Sequence, residues 1–260
     1  MAQSTFSLDG DLLVPSPLAV SPWSEQMVDG RSVAGLAAWA VERDHPTEAD
    51  GLRVGRLTID MFRPVPMQPL RLTTRVARGG RRIGVVDVSV WSGDVEVTRA
   101  SVLRLAAGPH PDGEPWAPPP PDMPGPDEMP GGGVVPSGAF EMRTAGDFGQ
   151  GRGRSWLRDL NDFVDGTPPS PLVRAATAAD FVNPLANSAP GGLRFINADL
   201  TVHLTRYPDG DWIGLESAGH LGADGVAVGS AWLLDRHGRF GQSLTTALPD
   251  GRIAERLSAR

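Results

Sequence analysis

The side chains that could do chemistry are defined first by what is missing. The chain of 260 residues has no Cys, and all 24 of its basic residues are Arg. That excludes a thiolate nucleophile, Cys-ligated zinc and disulfide staples. It also excludes Schiff-base lysines and the lysine of a phosphate-binding loop. Carboxylates, hydroxyls, amides and five His remain. Asp199, Thr201, His203 and Thr205 alternate, so a strand there presents them on one polar face. Asp199 is then either a reactive carboxylate or an acid at a strand start that satisfies local amides. His203 and His220 could face each other across adjacent strands as an acid–base pair, although a solvated pair is the commoner use of such residues. His45, His110 and His237 show no ligand spacing, and no metal is expected. Gly241-x-Ser243 lacks the last Gly of a serine-hydrolase elbow, because Thr245 stands there. Gly149-x-Gly151-x-Gly153 has the wrong spacing for a dinucleotide loop, so no cofactor is expected.

The elements that must position these residues fall into two halves. Between Gly108 and Gly138 lie 11 Pro, 7 Gly and five acids, with no Lys or Arg. This run accounts for most of the net charge of −7, so the folded parts are close to neutral and a nucleic-acid partner is not expected. The chain divides into residues 1–107, a linker 108–138, residues 139–247 and a polar tail 248–260. In the first half, Val33–Val41 has no polar side chain and predicts a helix buried nearly all round, with Asp29 or Ser32 as its N-cap. Strands follow at 53–62, 70–77, 83–91 and 95–105. The second half repeats this order. Ser170-Pro171 starts a helix over Leu172–Val182 that ends before Pro184. Strands are predicted from Ile196 to Arg206, and at 212–220, 226–234 and 240–247. Arg63 and Arg206 recur at matching places and suggest paired structural roles at turns. A helix apolar on every side needs a curved sheet wrapped around it, which predicts an α+β fold of two tandem hotdogs. No apolar run approaches the ~20 residues of a membrane span, and MAQSTFSLDG lacks the regions of a signal peptide. A soluble, cytoplasmic protein is expected.

At this point the residues resemble a family. Phe195-Ile196-Asn197-Ala198-Asp199-Leu200, with His203, Arg206, Pro208 and Trp212-Ile213, is similar to the second hotdog of TesB-like acyl-CoA thioesterases. The actinobacterial thioesterase family proteins are the nearer branch. Ala179-Asp180-Phe181-Val182-Asn183 resembles the end of the second central helix. Pro22-Trp23, Val28–Ala34, Arg56–Pro66 and Gly80-Arg81-Arg82 resemble the first hotdog. The likeness spans nearly all of the chain outside the linker and tail, and the order of the motifs carries it.

The resemblance implies a double hotdog that hydrolyses acyl-CoA, or another acyl thioester, with no metal or cofactor. An acid, a hydroxyl and an amide would position a water at the thioester carbonyl. The resemblance places the acid on Asp199. The hydroxyl position falls near Glu216–His220, where relatives carry Thr and this chain offers Ser217. The amide position, Gln in relatives, falls on Thr245, and the His-Gly common at the first helix entrance is Asp29-Gly30 here. Arg152, Arg154 and Arg158 are a solvated basic face or a contact for CoA phosphates. Two other readings stay open: a degenerate protein that binds acyl thioesters without turnover, and a hotdog enzyme of other chemistry, such as a hydratase. Double hotdogs commonly associate, so a dimer of double hotdogs is a candidate assembly.

Overall fold

The computed structural model describes residues 3–146, 149 and 152–250. Gly151 of the glycine run and residues 251–260 of the tail lie outside the described residues. The first half runs β1 (Ser4–Asp9), β2 (Leu12–Pro15), β3 (Val20–Ser21), β4 (Ser24–Val28), α1 (Gly30–Asp44) and α2 (Thr47–Asp50). It continues with β5 (Leu52–Met61), β6 (Leu70–Arg78), β7 (Ile83–Ser92) and β8 (Val95–Ala106). The second half opens with β9 (Gly131–Val134), β10 (Phe140–Thr144), β11 (Arg154–Asp159) and β12 (Asp162–Val164). Then come α3 (Pro171–Ala179), α4 (Val182–Asn187), β13 (Ser188–Ala189) and β14 (Gly192–Leu193). It closes with β15 (Phe195–Asn197), β16 (Asp199–Leu204), β17 (Ile213–Ala223), β18 (Val226–Asp235) and β19 (Gly238–Pro249).

Four strands in each half follow the expected pattern, β6-β7-β8-β5 around α1 and β16-β19-β18-β17 around α3 and α4 together. The two sets do not merely cover each other. β5 pairs antiparallel with β16, from Asp60↔Asp199 to Arg56↔His203, and closes one 15-stranded sheet. Inward residues of this seam, Leu57, Ile59, Leu200 and Val202, are fully buried. Each contributes roughly 1.5–3 kcal/mol of apolar burial. An edge that would otherwise present open N–H and C=O groups is thereby consumed.

The central helices run antiparallel against each other. Ser170 at the start of α3 donates its hydroxyl to Glu42 near the end of α1. Gly35 marks their close approach, since a Cβ there would lie 2.6 Å from the Phe163 ring and 2.9 Å from Thr177. Of the two candidate caps for α1, Asp29 is the one used, its carboxylate accepting from the Arg31 N–H at 3.4 Å.

Two expectations change. The second helix is not continuous over 172–182: α3 ends at Ala179, and α4 restarts at Val182 and runs through Pro184. A new first turn has no need of the N–H that proline lacks, so Pro184 is tolerated there. The strand from Ile196 is interrupted at Ala198, where the register against β19 shifts by one residue between Asn197↔Ala247 and Thr201↔Leu244. The Pro- and Gly-rich run is docked over part of its length. Its end forms β9 against β10, Met129 is buried beside Trp156 and Leu234, and Trp156 Nε1 donates to Pro124 O at 2.8 Å. The hairpin β1–β2 and the strands β10 and β11 were not foreseen at all.

Candidate active site

Where α1 begins and α3 ends, two carboxylates, a guanidinium and two amides converge. Asp180 caps the C-terminus of α3. Its carboxylate packs on Gly30, so closely that a Cβ on Gly30 would sit 2.7 Å from Oδ2. Asn197 donates through Nδ2 to Asp180 Oδ1 at 2.9 Å. The shift at Ala198 aims Asn197 inward: one residue of slip exchanges the two faces of a strand, so Asn197 meets the helices while Asp199 faces out. Asn183 anchors β15 by donating to Phe195 O at 3.1 Å, and Asn187 donates to Asn183 Oδ1 at 3.0 Å.

Arg31 organises the other side. Its Nη2 meets Asp159 Oδ1 at 2.8 Å, its Nε donates to Thr177 O at 3.2 Å, and its guanidinium lies 3.6 Å above the Phe140 ring. These contacts tie α1 to β10, β11 and α3 at once.

The electrostatics favour a carboxyl that holds its proton near neutrality. Burial raises Asp180 to about 7, and the neighbouring Asp29 charge adds to the rise; the Asn197 bond and Arg31 oppose it. An acid at a helix C-terminus also faces the negative end of that helix. Burial likewise raises Asp29, against the pull of Arg31. The N-terminus of α1 supplies the compensating positive end beside both groups.

Two cavities meet at this point. The larger, ≈ 820 Å³, has Asp180, Asn197, Asp29 and Arg31 on its polar side and Trp23 and Phe140 among its apolar walls. The smaller, ≈ 240 Å³, lies between Met61, Phe62, Pro64, Ile196 and Leu248 and also reaches Asp180 and Asn197. A small recess with the same Asp29 and Arg31 holds only ≈ 20 Å³, too little for a substrate.

The three residues expected at the site from sequence, Asp199, Ser217 and Thr245, stand apart from this junction. Asp199 stands on the outer face of β16, where its carboxylate accepts from the Thr246 N–H and lies 3.4 Å from the Thr246 hydroxyl. Thr245 is buried on the inner face, its hydroxyl donating to the Asp199 backbone O at 2.8 Å. These two are joined through backbone, not through their reactive groups. Ser217 is on β17, three strands from β16 in the sheet, with its N–H bonded to Gly153 O at 2.8 Å. None of the three lines either cavity. His203 and His220 are not on adjacent strands, because β19 and β18 stand between β16 and β17. His220 instead bonds Asn187 Oδ1 at 2.7 Å. Arg63 and Arg206 are not equivalent: Arg206 forms a bidentate pair with Asp235, whereas the Arg63 N–H bonds Val97 O. Arg152 and Arg154 approach the buried Glu216, and Arg158 pairs with Glu141, so this basic group is internally neutralised in part.

In the sequence Asp180 falls within an apolar helical run. Its signal was there: a lone acid closing the apolar run 172–182, at the helix end where a negative charge is least favourable. Asn197 gave no such signal, because only the register shift turns it inward. Among the described residues no group of three or more His, Asp or Glu is placed to hold a metal ion. No helix among them is long and apolar enough to cross a membrane.

Residues 111–247 match the family model for the acyl-CoA thioesterase C-terminal domain, and residues 19–105 match that for the N-terminal domain. No curated protein sequence matches the chain. Among solved structures, a candidate thioesterase II from Thermobifida fusca is similar, with TM-score 0.70 and 17% identity, over 96% of each chain. A candidate thioesterase from Novosphingobium aromaticivorans has TM-score 0.69 and 22% identity, over 96% of this chain and 100% of that one. A hot dog fold protein from Alicyclobacillus acidocaldarius has TM-score 0.71 and 15% identity, over 95% and 96%. At these identities the structural likeness shows the fold, a double hotdog.

Proposed function

The chain belongs to the acyl-CoA thioesterase family, and from that premise we propose that Asp180, rather than Asp199, orients and activates water at the thioester carbonyl. The observation that carries this reading is the buried Asp180 carboxyl, held by Asn197 against Gly30 where the two cavities meet. A general base works best when its own proton affinity lies near the operating pH, and Asp180 is raised to about 7.

In the reaction, ionised Asp180 accepts a proton from water as its oxygen bonds to the carbonyl carbon. The C–S bond then breaks, and the proton on Asp180 passes to the leaving thiolate. The products are a carboxylic acid and a free thiol. Asn197 fixes the Asp180 oxygen to which it donates, leaving the other oxygen for water. The positive end of α1 faces the charge that develops on the carbonyl oxygen. The substrate is an acyl-CoA or another acyl thioester, and the protein works in the cytoplasm.

The discriminating experiment compares Asp180→Asn with Asp199→Asn on a panel of acyl-CoAs. Loss of turnover in the first and its survival in the second is the expected result. The reverse pattern transfers the role back to Asp199 with Thr245 and Ser217. Saturable binding without turnover in the unaltered protein would make it a degenerate acyl-thioester binder instead.

A further inference from the structure

The apolar side chains that wall the larger cavity have few torsions of their own. Its apolar lining consists of four prolines, three aromatic side chains, two valines and Met142, with no Leu or Ile. Proline rings are fixed, valine has one restricted torsion, and Phe and Trp have two. Only Met142 can reshape itself around a guest. These walls come from different segments: the stretch bearing Trp23, the docked end of the proline-rich run at Val135-Pro136, and the α3–α4 junction at Phe181.

The size also bears on the guest. A dry cavity of roughly 150 Å³ accepts benzene, so ≈ 820 Å³ has room for more than one ring. The ≈ 240 Å³ cavity across Asp180 and Asn197 is the narrower path, and its lining residues Phe62 and Leu248 are about half exposed. An unbranched thiol arm suits that path, which leaves the wide cavity for the acyl group. A straight alkyl chain there would freeze many torsions yet leave much of the wall untouched, forfeiting dispersion contacts. A ring system has few torsions to lose and can pack against Trp23 and Phe181 and the edge of Phe140, whose face Arg31 covers.

We infer that the acyl group this chain prefers carries a ring system, aromatic or alicyclic, seated between Trp23, Phe140 and Phe181. The inference rests on the thioesterase reading of the same site. Its test uses the full chain with two CoA series matched in carbon number: benzoyl, phenylacetyl and naphthoyl against heptanoyl, octanoyl and undecanoyl. Thiol release is expected to give kcat/KM at least tenfold higher for the ring-bearing members. Phe181→Leu, with folding verified by its melting transition, is expected to reduce that ratio at least threefold. Equal or faster hydrolysis of the linear series overturns the inference and leaves the thioesterase reading intact. If no thioester is cleaved, titration with non-cleavable thioether analogues separates the two claims. Tighter binding of the ring-bearing analogues then supports the inference while the hydrolytic reading falls; equal or weaker binding overturns both.

Discussion

Gly30 and Asp180 divide one small volume between them, and neither can change without moving the other. Gly30→Ala therefore separates stability from activity. Alanine is favoured over glycine in a helix by up to ~1 kcal/mol, which offsets part of the cost of displacing the buried carboxylate, so the melting temperature is expected to fall only slightly. The new methyl displaces the carboxylate, and kcat is expected to fall at least tenfold; an unchanged kcat would remove Asp180 from the chemistry. Asp180→Asn should lower kcat by roughly 10²–10⁴, the usual contribution of a general base. Because the base must be ionised, activity of the unaltered protein should rise with pH through about 7 and then level off. The same group makes a stability prediction of opposite sign. Its folded proton affinity lies above the ordinary 3.8, so the stability it contributes is complete below about pH 4 and is lost as pH rises to about 7. Allowing for water reaching it from the cavities, Asp180→Asn should gain on the order of 2 kcal/mol over the unaltered protein between pH 4 and 8. Melting curves across that range check it.

At the scale of elements, most of what was legible came from patterning. The nonpolar run Val33–Val41 predicted the core of α1, and the alternating runs located eight sheet strands to within a few residues. The proposed site was less legible for a definite reason. Period-two alternation carried from Ile196 to Arg206 treats β15 and β16 as one strand, and so puts Asp199 and Asn197 on the same face. The shift at Ala198 is made by pairing with β19, some fifty residues away, and leaves no mark on the local sequence. The break between α3 and α4 is similar: Pro184 marked a stop, yet the helix resumes around it. Close helix contact can be tested at Gly35. A methyl there meets Phe163 and Thr177, and Gly35→Ala should destabilise by about 1–3 kcal/mol through overpacking. A denaturant midpoint that does not move would show that the two helices are free to separate.

For the whole molecule, the β5–β16 seam makes the halves parts of one structure. Residues 1–107 produced alone would expose the β5 edge together with Leu57 and Ile59, an arrangement that invites aggregation. Each half on its own should fail to give a soluble monomer in gel filtration, and co-expression should recover a paired species. A cooperative melting transition from either isolated half would contradict the shared core. The docked proline-rich run adds to this unity, because the residues that link the halves also supply Val135 and Pro136 to the large cavity.

The antiparallel central helices place the start of each beside the end of the other, which generates two related junctions. One holds Gly30 against Asp180 and opens on the cavities. Its counterpart holds Ser170 against Glu42, a carboxyl bonded by a hydroxyl. In a pair of identical subunits every substitution would strike both junctions together. Here the two are encoded separately, so one can be sealed for strength while its twin is remodelled around a new guest. Selection can then act on specificity without putting the scaffold at risk.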